Sequence, residues 1–146
     1  MKGLIAAHSG LRYIVLALLL IAIINAIVNI KKGNYLKKDK MINLFTMIFI
    51  HIQLLLGLVL YFVGPRVNFS SWIEGVENTR FFAVEHALMM ILAVILITLG
   101  RKKAEKQPVA SSKHKMILRY YGLGLVLIFI AIPWPFIYPE LEVGLF

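Results

Sequence analysis

The chain contains no cysteine and only seven acidic residues among its 146 positions. The absence of cysteine excludes disulfides, thiolate metal sites, iron–sulfur clusters and covalent attachment of haem through a CxxCH motif. Sixteen lysines and arginines give a formal net charge of +9, but most of them fall in two short segments between apolar blocks. Charges placed in this way argue against nucleic acid as a partner and in favour of a role in membrane orientation.

Regular alternation of apolar and polar residues is also lacking, which argues against a transmembrane β-barrel. Instead, a sequence that is 60% hydrophobic concentrates its apolar residues in four blocks, at about 3–30, 41–63, 80–100 and 114–134. About twenty apolar residues cross a hydrocarbon core of roughly 30 Å. The sequence therefore predicts a single all-α membrane domain of four transmembrane helices.

The basic residues predict how these helices are oriented. Segment 31–40 carries five lysines, and segment 101–115 carries six lysines and arginines. Because cytoplasmic loops are enriched in positive charge, both segments are expected in the cytoplasm and both chain termini outside. Short loops favour an up-down antiparallel bundle. Membrane lipid is the expected immediate partner.

Histidines are the main candidates for function, since an imidazole inside hydrocarbon is costly unless it binds or pairs with something. His8, His51 and His86 fall within the apolar blocks, and His114 stands at the start of the last one. Arg12 lies one helical turn after His8 and shares its face. An imidazole beside an arginine suits a haem edge, with the imidazole on iron and the guanidinium on a propionate. The alternative is that Arg12 reaches the interface and His8 is solvated there.

Depth along the helices indicates which histidines can share a ligand. At a rise of 1.5 Å per residue, His51 lies roughly 16 Å from the basic end of the second apolar block. His86 lies about 22 Å from the basic end of the third block. The offset of about 6–7 Å favours a haem between His51 and His86. His8 lies roughly 12 Å further out. His114, among lysines, is interpreted as a solvated interfacial residue, with ligation of an inner cofactor as the alternative.

Two further features bear on the site. Thr46 and Gln53 are expected to form hydrogen bonds between helices. Imidazoles bind zinc, copper and iron alike. Histidines on separate helices without HExxH, cysteine or an acidic cluster suit a flat apolar macrocycle better than a hydrophilic ion.

Five short runs give the chain a family resemblance: HSGLR at 8–12, HIQLLLG at 51–57, VEH at 84–86, KHK at 113–115 and AIPWP at 131–135. Together they resemble small bacterial four-helix membrane proteins labelled cytochrome b-like. The resemblance implies a location in a bacterial inner membrane. It also implies one or two b-type haems and electron transfer, with quinol or a larger membrane complex as partner. By analogy with dihaem cytochromes, His8 with His86 would form an outer pair and His51 with His114 an inner pair. The pairing stays open between this scheme and a single haem between His51 and His86.

Three functions follow as hypotheses. The first is a b-type haem protein that carries electrons rather than acting as a stand-alone enzyme. The second is an assembly factor or accessory subunit without a cofactor, whose histidines bond within the protein. The third is a metal or proton pathway that uses histidines and Glu85.

Overall fold

The computed structural model describes residues 1–67, 70 and 77–141, and four long helices account for most of them. Helix α1 is Lys2–Asn29, and α2 is Lys37–Val63. Helix α3 covers 77–105 and comprises an α-helical turn Glu77–Arg80, a π-helix Phe81–His86 and the α-helix Ala87–Glu105. Helix α4 is Ala110–Ala131, and a 3₁₀ turn follows at Pro139–Leu141. All four long helices are apolar and long enough to cross a membrane, which confirms that part of the prediction.

Helices α2 and α3 are longer at their basic ends than the sequence predicts. Helix α2 begins four residues early, at Lys37, because the Asp39 carboxylate accepts a hydrogen bond from the Leu36 backbone N–H at 2.7 Å and caps the first turn. Helix α3 continues five residues beyond Gly100 to Glu105. Charged residues such as those at 101–105 are good helix formers, so leaving the apolar block does not end the helix.

Helix α4 also begins and ends earlier than predicted. It starts at Ala110 rather than 114 and ends at Ala131 rather than 134. The early end follows from Pro133, because the residue before a proline is driven out of helical geometry. Ile132 is accordingly extended, with φ −69° and ψ 128°.

Each long helix packs against two others. Helix α1 contacts α2 and α4, and α3 contacts the same two, so α1 and α3 face each other diagonally. Glycines bring α3 and α4 together: a Cβ on Gly124 would lie 2.7 Å from Ile97 Cγ1, and one on Gly100 would clash with Tyr120. Small residues at such contacts are typical of helix packing in membranes. The core between the helices includes Leu19, Ile50, Ala93, Ile97, Ile117, Tyr121 and Ile128.

Large apolar side chains cover the outside of the molecule. They occur along every long helix and include Ile24, Leu55, Phe62, Leu88, Leu123 and Phe129. In water such a surface would drive association, whereas lipid tails cover it at no cost. The exterior is thus that of a multi-pass membrane protein in contact with lipid.

Candidate haem site

A cavity of about 190 Å³ lies between the helices towards the ends that carry residue 2 and residue 131. Its walls are mainly apolar, from residues such as Val15, Ile50, Met90 and Ile128. A few polar side chains also line it: His8, Ser9, Arg12, Gln53, Tyr61, Arg66 and His86. An apolar cavity with a small number of convergent polar groups is the usual form of a cofactor site.

His8 on α1 and His86 on α3 face each other across this cavity. Their ring centroids are 6.4 Å apart and their planes are inclined by 73°. Two imidazoles that share a metal through bonds of about 2 Å hold their ring centres on the order of 6 Å apart, since each nitrogen lies roughly 1 Å from its own ring centre. The spacing therefore matches a pair of axial ligands.

The His86 ring is held by the end of α4. Its Nδ1–H donates to the Ala131 carbonyl at 2.8 Å, which leaves Nε2 as the nitrogen for a ligand. The Ala131 carbonyl is available because its ordinary helical partner, four residues on, is Pro135, which has no N–H. Metal-binding histidines commonly donate their second nitrogen to a carbonyl in this way, which fixes the tautomer and the ring orientation.

His8 is positioned by α2. The Gln53 amide donates to the His8 backbone carbonyl at 2.8 Å, which confirms the predicted role of Gln53 between helices. Thr46 likewise bonds the Leu18 carbonyl of α1 at 3.3 Å. His8 Nδ1 is buried and has no hydrogen-bond partner within the described residues. An orphaned buried imidazole nitrogen on a cavity wall is the feature that an added ligand would satisfy.

Gly57 gives the His8 ring its space. A Cβ at this position would lie 3.1 Å from His8 Cε1, closer than an unstrained contact allows. Gly57 also lines the cavity, so the ring and any occupant approach the α2 backbone directly.

Arg12, which the sequence also predicts as a cofactor-binding residue, lines the same cavity. Its Nη2 donates to the Tyr13 hydroxyl at 3.3 Å, and its guanidinium carbon lies 5.5 Å from the centre of the Trp134 ring. Both contacts hold the guanidinium beside the cavity, near the C-terminal end of α4.

A macrocycle fits these residues better than a bare ion does. No group of three or more His, Asp or Glu side chains able to hold a metal occurs in the described part of the chain, so a four-coordinate zinc lacks its ligands. Haem brings its own equatorial nitrogens and needs only one or two axial ligands and an apolar slot. Ligand cavities usually exceed about 300 Å³, so the side chains around this smaller cavity must move apart to admit a macrocycle.

His51 and His114 lie apart from this group. His51 Nδ1–H donates to the Met47 carbonyl at 2.7 Å, and its Nε2 lies 3.4 Å from the Thr98 hydroxyl. The structure thus brings His8, rather than His51, against His86.

His114 is fully buried, in contrast to its interpretation as a solvated interfacial residue. Its Nε2–H donates to the Asn34 carbonyl at 3.0 Å, and its ring lies edge-on to Tyr35 at 5.1 Å. The segment between α1 and α2 folds over it and removes it from solvent, which local charge in the sequence does not reveal.

The same end of the molecule carries a polar network around Tyr35. The Tyr35 hydroxyl donates to Glu105 Oε1 at 2.9 Å and accepts from Asn43 Nδ2 at 3.1 Å. Tyr121 donates to the Asn43 carbonyl at 2.7 Å. Burial is the main cause that raises the pKa of Tyr35 to about 12, and the hydrogen bond to Glu105 adds to it.

Comparisons with known proteins found no relative of this chain. The chain matches no known protein family, no curated protein and no solved structure. The geometry of the cavity is therefore the main support for a function.

Two residues that line the cavity, Gly57 and Arg66, are not among the site residues predicted from the sequence. Gly57 lies on the same stripe of α2 as Gln53, one turn further on, which is the signal that would have indicated it. Arg66 follows the Gly64–Pro65 helix stop, and only the fold brings it to the cavity.

Proposed function

We propose that this protein is an integral membrane b-type haem protein with His8 and His86 as the axial ligands. The observation that carries the proposal is the His8–His86 pair, whose ring centres lie 6.4 Å apart across an apolar cavity. It agrees with the outer pair that the cytochrome b-like resemblance implies. One haem is proposed, at this site.

The residues of the chain have distinct roles in this proposal. His86 is oriented by the Ala131 carbonyl, and Gln53 fixes the backbone that carries His8. Arg12 supplies a guanidinium for a propionate. Bound haem provides one-electron chemistry, so the proposed activity is electron transfer between the quinol pool and a partner, without a separate catalytic residue.

The proposed topology is an up-down antiparallel bundle in a bacterial inner membrane, with both termini outside. Support comes from contacts between the early part of α1 and the late part of α2, such as Gln53 with His8. At the other end, Tyr35 and Asn34 meet residues near the start of α4 and the end of α3. That end also carries the basic segments, which favours the cytoplasm.

A cofactor-free accessory subunit or assembly factor is the second candidate. His51, His86 and His114 each donate one ring N–H to a backbone carbonyl, so each of these imidazoles has at least one partner within the chain. We assign His51 and His114 this structural role. A buried ring nitrogen without a hydrogen-bond partner occurs in the described residues at both His8 and His114. What favours haem over the second candidate is that the His8 ring also lines the cavity, 6.4 Å from the His86 ring.

A proton or metal pathway gains less support. Glu85, the acidic residue that it needs, forms an ion pair with Arg80 at 2.9 Å. This pair holds the carboxylate at the outer end of α3.

An absorption titration with iron protoporphyrin IX in detergent tests the haem proposal. The wild type is expected to give a Soret band that sharpens on reduction, and His8→Ala and His86→Ala are expected to lose it. His51→Ala, the matched control, is expected to keep it. Added imidazole should restore the low-spin spectrum of His86→Ala, which a merely misfolded variant would not do. A wild type that gives only the spectrum of iron protoporphyrin IX in detergent, or a low-spin band that depends on His51 instead, refutes the proposal.

A further inference from the structure

Arg66 brings a second guanidinium to the cavity that His8 and His86 face. It lies just beyond α2, where Gly64 leaves helical geometry with ψ 154°. Its guanidinium carbon is 5.1 Å from the centre of the Phe82 ring, so the side chain crosses from α2 to α3. A cation over an aromatic face is held in place without a partner of opposite charge.

Arg66 has no acidic partner in the part of the chain that the structure describes. The ion pairs found there join Lys40 to Glu105 and Arg80 to Glu85. A guanidinium that lies over a ring keeps its in-plane N–H groups available, and these match the geometry of a carboxylate. The Phe82 contact therefore orients Arg66 and leaves its donors for a ligand.

We infer that Arg66 and Arg12 together recognise a ligand that has two carboxylates on an apolar body. The two arginines come from different elements, one after α2 and one within α1, and both line the one cavity. This inference rests on the proposed function, since haem b carries two propionates. It adds Arg66 as a specificity-determining residue that selects the free acid of the porphyrin.

The test compares iron protoporphyrin IX with its dimethyl ester, which has the same macrocycle and no carboxylates. The wild type is expected to bind the free acid at least about tenfold more tightly than the ester, as Soret titrations measure it. Arg66→Gln is expected to reduce this ratio severalfold while leaving the affinity for the ester unchanged. Arg66→Lys, which keeps the charge but not the planar fork, should fall between the two.

Arg80→Gln is the matched control, because Arg80 is an exposed arginine near the same end of α3 that does not line the cavity. It is expected to keep the wild-type ratio. If Arg66→Gln also keeps that ratio while His8→Ala and His86→Ala abolish the Soret band, the inference about Arg66 is wrong and the haem proposal stands. If neither porphyrin gives a band that depends on the two histidines, both are refuted.

Discussion

Gly57 offers the sharpest perturbation of the cavity. Replacing it with leucine places a branched side chain where a Cβ alone already lies 3.1 Å from His8 Cε1. The added side chain has a volume of roughly 100 Å³ and projects into a cavity of about 190 Å³. Gly57→Leu is therefore expected to block haem binding by occupying the space that haem needs.

The same substitution should stabilise the haem-free protein. Leucine is a better helix former than glycine by about 1 kcal/mol, and its side chain would bury apolar surface against the walls of the cavity. The free energy of unfolding is expected to rise by on the order of 1–2 kcal/mol, less whatever displacement of His8 costs. Gly57→Ala, with one added methyl group, requires only a small shift of the ring and is expected to keep haem.

Thermal unfolding in detergent, with and without iron protoporphyrin IX, measures the loss of haem binding and the stability of the haem-free protein. Gly122→Leu is the matched control, since a Cβ at Gly122 meets no atom within 4 Å. It gains the same helix propensity, about 1 kcal/mol over glycine, without touching the cavity. The expected pattern is a more stable haem-free Gly57→Leu protein that haem does not stabilise further. A Gly57→Leu variant that binds haem like the wild type would show that the cavity is not the haem site.

Two further predictions concern the network at the other end of the bundle. Tyr121→Phe removes the hydroxyl that donates to the Asn43 carbonyl at 2.7 Å and should lower the free energy of unfolding by about 1 kcal/mol in denaturant titrations; an unchanged stability would mean that this bond contributes nothing. Because the pKa of Tyr35 is raised to about 12, its protonated form stabilises the fold fully below pH about 10, and this contribution is lost as the pH rises through 12. Melting temperatures between pH 9 and 12 should fall less steeply in Tyr35→Phe than in the wild type, and parallel slopes would contradict this account.

The apolar blocks were sufficient to predict four long helices, but they misplaced the ends that determine depth. The prediction ended the third helix at Gly100, whereas α3 continues to Glu105. Five more residues add about 7–8 Å, so His86 lies about 28 Å from the basic end of its helix. His8 lies about 31 Å from the corresponding end of α1, and His51 about 21 Å from that of α2. His86 is thus level with His8, which explains why the depth estimate favoured the other pair.

The buried contacts of the candidate site depend on the tertiary fold and have weaker sequence signals. His114 stands among lysines in the sequence, yet the segment that carries Asn34 and Tyr35 covers it completely. Nothing in the sequence around Arg66 indicates that α3 brings the Phe82 ring within 5.1 Å of its guanidinium. The positions of His114 and Arg66 in the fold depend on residues more than ten positions away in the chain. Composition and periodicity carry no information about such contacts.

The π-helix Phe81–His86 determines the direction in which the His86 side chain leaves α3. A π-turn carries one more residue than an α-turn, and each residue of an α-helix turns the side chain by about 100°. If the same six residues formed an α-helix, with none removed, His86 would turn by about 100° relative to the first turn of α3. The wide turn therefore sets the direction of His86, and a deletion of one residue that replaces it with an α-turn would keep that direction, whereas a change that tightens the turn at constant length would not.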